Sequence, residues 1–256
     1  MGRPDRFRWA LLGMLLVALS GARSAGDGER VAVASDQQKG GGVDAGLGRR
    51  RAALRLKVVE SMGAARWDDA ARDLAELLLL EPGDVECLLN LGQVRQRQGD
   101  VGAAIGFYRE AVRRESENAA GWMMLGLAEM ERGEVLRACA SLAMGVAIEP
   151  GSARGHRWYG MALARRGWND AAEAELKRSM ELDGKDSGAH FNLALLYLNR
   201  KEPAYGLARY HYMTAVDLGG ERDDVVEALL EKGGKSDGET KGAAGGGARG
   251  ESEATR

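Results

Sequence analysis

Residues 85–118, VECLLNLGQVRQRQGDVGAAIGFYREAVRRESEN, decide the architecture of this chain. Leu88, Leu91 and Gly92 are spaced i, i+3, i+4, the apolar period of a helix, and Val94 falls on the same face. Gly99 ends that helix, because a residue without Cβ takes the left-handed conformation of a helix end at little steric cost. A second apolar stripe then runs from Val101 to Arg114, with Ala104, Tyr108 and Ala111 predicted to face inward. Two short helices joined by a tight turn cannot bury both stripes alone, so this unit needs neighbours built like itself.

The neighbours follow in the chain. Leu88, Trp122, His156 and His190 are each 34 residues apart. At fixed offsets come Leu91, Leu125, Tyr159 and Leu193, then Gly92, Gly126, Gly160 and Ala194. Gly99, Gly133 and Gly167 recur next, followed by Ala104, Ala138, Ala172 and Gly206, and by Tyr108, Leu142, Leu176 and Tyr210. A fainter copy ahead of them keeps Leu54, Ala70, Leu74 and Pro82, the last in phase with Pro150. The two small-residue series are expected to meet where first and second helices approach closely, since a large side chain there would overpack the contact. Pro82 and Pro150 fall just past second helices, and Pro203 is placed in the first turn of the last one.

This residue order at this period resembles the tetratricopeptide repeat (TPR). The resemblance spans roughly residues 51–220 and implies an all-α, right-handed solenoid of five helix-turn-helix repeats: 51–84 (degenerate), 85–118, 119–152, 153–186 and 187–220. A C-terminal capping helix is expected over 221–232. Asp223 and Asp224 favour its start, Gly233 and Gly234 stop it, and Val225, Val226, Leu229 and Leu230 lie against the last repeat. The stretch 189–198, together with 208–212 and 218–220, is similar to the closing repeat of some bacterial TPR proteins, which implies a bacterial envelope protein.

The two ends read differently. Arg3, Arg6 and Arg8 precede an apolar run of 11 residues, Trp9 to Leu19, followed by small residues through Ala25. That is the form of a secretory signal over residues 1–24, and it falls short of the ~20 residues a membrane span needs. Export to the periplasm or the exterior is the expectation, with an uncleaved N-terminal membrane anchor as the alternative. Removing residues 1–24 takes away four Arg and one Asp and moves the formal net charge from −2 to −5, which argues against a general polyanion binder such as a nucleic-acid protein. Many of the 37 glycines fall in 25–49 and 233–250, so 25–49 is expected to be disordered linker and 233–256 a disordered tail.

Nothing in the sequence points to catalysis. GxSxG, HExxH and Walker loops are absent, and the Gly184-Lys-Asp-Ser stretch lacks the upstream glycine spacing of a phosphate loop. Cys87 and Cys139 occupy small apolar packing positions and are expected to be buried thiols. His156 and His190 share one core position, and His211 lies on another helix, so no metal site is expected. The expected activity is non-enzymatic, with no cofactor and no small-molecule substrate.

In the TPR family the first helices line a concave groove for a protein or peptide partner. Carried over by repeat position, this implies a binding set of Asn90, Met123, Met124, Leu127, Met130, Arg154, Arg157, Trp158, Met161, Arg165, Phe191, Asn192 and Leu195. Its Met-rich part would adapt to different ligands. Its arginines would pair with acidic side chains or a terminal carboxylate, and Trp158 would anchor or make a cation–π contact. The carboxylate clamp that holds chaperone C-termini is not matched. Arg55 and Asn90 fit it, but Val59, Ala120 and Met124 do not.

Overall fold

The structure, a computed structural model, describes the backbone of residues 40–243 and the side chains of residues 46–233. The expected signal 1–24, the linker as far as residue 39 and the tail from 244 lie outside the described residues. Within them the chain is all-α, with eleven helices and no strand. It divides into two compact units at Pro82 and Gly83.

The first unit pairs α1 (Gly40–Gly63) with α2 (Trp67–Leu80). Leu54 and Val58 of α1 and Ala70, Leu74 and Leu77 of α2 are buried. Ion pairs seal the rim: Arg50 with Glu76 at 2.6 Å, and Arg51 and Arg55 with Glu81 at 2.6 and 2.8 Å. These contacts correct the expected linker. Its residues 40–49 form the start of α1, ahead of the helical turns that carry Arg50, Arg51 and Leu54.

The second unit holds four helix pairs and one further helix. The pairs are α3 (Val85–Arg97) with α4 (Val101–Arg114), α5 (Ala119–Glu131) with α6 (Val135–Ile148), α7 (Ala153–Arg166) with α8 (Asn169–Leu182), and α9 (Ser187–Leu198) with α10 (Tyr205–Asp217). The further helix is α11 (Asp224–Ala243). Each helix from α3 to α10 packs on the next, and α3–α5, α5–α7 and α7–α9 also touch, so the pairs stack in chain order as a solenoid does.

Local chemistry repeats with the same period. Asp84, Asn118, Ser152 and Asp186 each cap a first helix by accepting from a backbone N–H two or three residues on. Such a cap contributes about 1 kcal/mol. Gly99, Gly133 and Gly167 turn the chain between partners at φ +83°, +84° and +88°, where a Cβ would be strained. A Cβ at Gly92 would lie 2.4 Å from the Tyr108 ring, and at Gly126 and Gly160 it would lie 2.6 and 2.8 Å from Cγ of Leu142 and Leu176. The close approach therefore sets glycine against a large side chain, with the carbonyls of Ala138 and Ala172 near by at 3.2 and 3.1 Å.

The last pair departs from the expected positions. Six residues, 199–204, separate α9 from α10, whereas three separate α3 from α4. Pro203 lies in this longer turn and precedes α10, because it cannot continue a helix entered from Leu198. The shift moves the inward set by two residues. Ala208 and Tyr212 are buried at 0% and 1% exposure, while Gly206 and Tyr210, assigned to those places from the period, face solvent. In α11, Val226 and Leu230 are buried but Val225 is exposed. The helix continues past Gly233, where a Cβ would strike the Tyr205 ring at 2.1 Å, so this glycine permits close packing and does not stop the helix.

Candidate partner-binding face

First helices α3, α5, α7 and α9 carry every residue of the implied binding set, and the structure separates that set into three groups. Met123, Leu127, Met130 and Leu195 are buried at 5–9% exposure. Met123 is wedged among helices: a Cβ at Gly145 would meet its Cγ at 2.8 Å, and one at Gly155 its Cε at 2.6 Å. These four side chains are packing residues. Their burial corrects the picture of a wholly accessible Met-rich surface, since each fills the seam between neighbouring pairs.

Two of the three arginines tie helices together. Arg165 donates to the carbonyl of Met130 at 3.2 Å, covering the carboxyl end of α5, where a cation is favoured. Nε of Arg157 lies 3.1 Å from Oδ2 of Asp186, whose other oxygen caps α9. That contact is an ion pair without hydrogen-bond alignment, because the buried Nε has no hydrogen-bond partner. The same guanidinium lies over Gly188, where a Cβ would stand 2.0 Å from Nη1.

The third group remains accessible. Asn90, Met124, Trp158 and Asn192 occupy one repeat position on successive first helices, and all four are half-buried. Met161 and Phe191 are half-buried beside them, and Arg154 is exposed with its guanidinium 5.7 Å from the centre of the Trp158 ring. Two amides thus flank a Met–Trp–Phe surface with one cation above the tryptophan. An amide both donates and accepts, so it can pair with the main chain of an extended peptide.

Sequence reasoning missed several buried polar groups. Glu129, 2% exposed, accepts from Ser141 Oγ at 2.7 Å and from Arg109 at 2.9 Å, linking α4, α5 and α6. Ser141 and Glu129 are not conspicuous in the period, and only their meeting gives them a role. Beside them a shallow groove between α4 and α6 is lined by Val112, Trp122, Leu125 and Ala140, with Arg109 and Arg137 at its edge. His156 contacts Glu175 at 2.6 Å and the Pro150 carbonyl at 3.1 Å. His190 and His211, placed on separate helices by the sequence, meet with their Nδ1 atoms 3.1 Å apart. Tyr197 stacks on His211 and donates to Glu173 at 2.8 Å; Arg200 and Lys177 pair with the same carboxylate, which holds it below the usual range, Lys177 first. Cys87 and Cys139 are buried and unpaired. Among the described residues no three His, Cys, Asp or Glu side chains converge as metal ligands, and no helix is long and apolar enough to cross a membrane.

Comparison with known proteins agrees with this geometry. The family model for the tetratricopeptide repeat matches residues 60–116 and 89–153. Cellulose synthase 2 operon protein C of Komagataeibacter xylinus is 32% identical over 170 residues, which is 64% of this chain and 12% of that protein's length. PilF of Pseudomonas aeruginosa superposes with a TM-score of 0.64 at 20% identity, covering 79% of this chain and 95% of PilF. YrrB, described as a TPR protein with an unusual peptide-binding site, superposes with a TM-score of 0.56 at 19% identity over 68% of this chain and 88% of YrrB. With its 34-residue period, left-handed glycine turns and stacked helix pairs, the chain is a tetratricopeptide-repeat protein.

Proposed function

We propose that this protein is a non-enzymatic adaptor whose first-helix face binds an extended segment of a partner protein. The observation that carries this reading is the ladder Asn90, Met124, Trp158 and Asn192, four half-buried side chains at one repeat position on touching helices. The amides would hold the partner's main chain. Trp158, Met161 and Phe191 would take apolar side chains, and Arg154 would pair with a carboxylate on the partner. A peptide-binding site on YrrB, a structure of the same fold, supports this use of the repeats. We place the protein in the bacterial cell envelope on the strength of the basic residues and apolar run at its N-terminus.

The test is affinity capture from native envelope with the full chain and with an Arg154→Glu/Trp158→Ala variant. A partner held by the wild type and lost from the variant, with helicity unchanged by circular dichroism, is the expected result. Identical captures would remove function from this face. Arg157, which the repeat position also implies, is unsuited to this test because its loss would disturb the α9 cap. N-terminal sequencing of the purified protein decides the location: a start at Arg23 or Ala25 fits export, and a start at Met1 fits a retained anchor.

A further inference from the structure

The second helices carry a feature that the binding face does not use. From Ala138 to Ile148 the chain has no charged residue, although 29% of its residues are charged. This run lies in α6, and part of it is exposed. Leu136 and Met144 are 62% and 45% exposed, and Ala140 between them and Ala147 beyond are exposed as well. Spaced i, i+4, i+8 and i+11, these four form one stripe on one side of the helix. The same repeat positions read Gly102, Gly106, Glu110 and Arg113 in α4, and Asp170, Ala174, Arg178 and Glu181 in α8. Only α6, of these three helices, turns an uncharged face outward at all four places.

We propose that this stripe is the interface of a homodimer, in which α6 of one copy packs antiparallel on α6 of the second about a twofold axis at Ala140. A closed twofold contact must be self-complementary, and this one is. With Ala140 on Ala140, Leu136 meets Met144 of the second copy, and the small alanines let the helix axes approach closely. Arg132, exposed at the start of the stripe, then lies beside Glu149 of the second copy, exposed at its end. The 34-residue period carries the symmetry outward, because α4 of one copy falls opposite α8 of the other. Gly106 lies opposite Ala174, so no bulky side chain holds the copies apart, and nothing stands within 4 Å of a Cβ on Gly106. Asp170 comes to the Arg109–Glu110–Arg113 cluster, which is net positive, and Arg178 comes to Asp100. Charge complementarity therefore favours a second copy over a membrane surface or an unrelated apolar partner. A helix of 14 residues is only about 21 Å long, so the flanking helices are needed to reach a stable contact area, and the dimer should be concentration-dependent.

The experiment is sedimentation equilibrium of the full chain over a range of about 1–100 μM. The expected result is a shift from 27.4 kDa towards twice that mass. A Leu136→Glu/Met144→Glu variant, altered only at exposed positions, should keep its circular dichroism and weaken the dimer by on the order of 100-fold. Arg132→Glu should weaken it less, and adding Glu149→Arg should restore it. The axis has its own readout: Ala140→Cys should be joined to its second copy by a short bis-maleimide much faster than Ala147→Cys. A wild type that stays monomeric, a dimer indifferent to the two glutamates, or equal cross-linking at both positions would overturn the proposal.

Discussion

At Gly126 one added carbon decides whether a helix pair closes. The position faces Cγ of Leu142 at 2.6 Å and the Ala138 carbonyl at 3.2 Å, and the backbone cannot withdraw without opening the pair. Gly126→Leu should cost roughly 1–3 kcal/mol, read as a lower thermal midpoint by circular dichroism. Gly48→Ala is the counterpart: nothing stands within 4 Å of its Cβ in α1, so it should stabilise by roughly 0.5–1 kcal/mol. An unchanged midpoint for the first would mean that the α5–α6 approach is looser than described. The sequence identified Gly92, Gly126 and Gly160 as close-contact residues, but not what they touch. The period pairs small with small, whereas the structure sets Tyr108, Leu142 and Leu176 over the glycines. Arg157 carries the same lesson for the candidate site. Its repeat position implies a ligand contact, yet it lies against Asp186 and over Gly188.

Whole elements follow their end signals where the period is regular and depart where the turn length changes. The caps at Asp84, Asn118, Ser152 and Asp186 hold α3, α5, α7 and α9 at 34-residue intervals. The longer turn 199–204 lets α10 enter two residues late, and this brings His211 against His190. At 3.1 Å one Nδ1 must donate and the other accept, so protonating both sets N–H against N–H. Burial lowers both pKa values from the ordinary 6.5, and for His211 the neighbouring His190 and Lys177 add to it; Asp186 and Glu173 oppose the shift more weakly. Folding therefore favours the neutral rings, and the unfolded chain binds more protons once the pH drops below 6.5. This part of the stability should be complete above pH 6.5 and decline below it, towards the lowered folded values. Comparing thermal midpoints at about pH 7 and pH 5, His211→Asn should fall less steeply than the wild type. Parallel falls in the two proteins would show that the pair is not titrating.

For the molecule as a whole, the division at Gly83 predicts that residues 83–243 fold without α1 and α2. Expressed alone, this fragment should unfold cooperatively with the helicity of its own nine helices, because each repeat draws its stability from its neighbours. A fragment lacking a cooperative transition would mean that the division is not one of stability. The sequence by itself determined the fold class, the periodic glycine turns and the core positions. These are repeated, short-range choices, and each copy restates them within 34 residues. What only the tertiary structure decided concerns residues whose role depends on a neighbour far along the chain. Met123, Leu127 and Met130 proved to be seam packing, Glu129 found Ser141 and Arg109, and Asn90, Met124, Trp158 and Asn192 remained as the accessible ladder. The physical reason is that a helical period fixes which way a side chain points, while the next helix along the stack decides whether that direction ends in solvent or in another side chain.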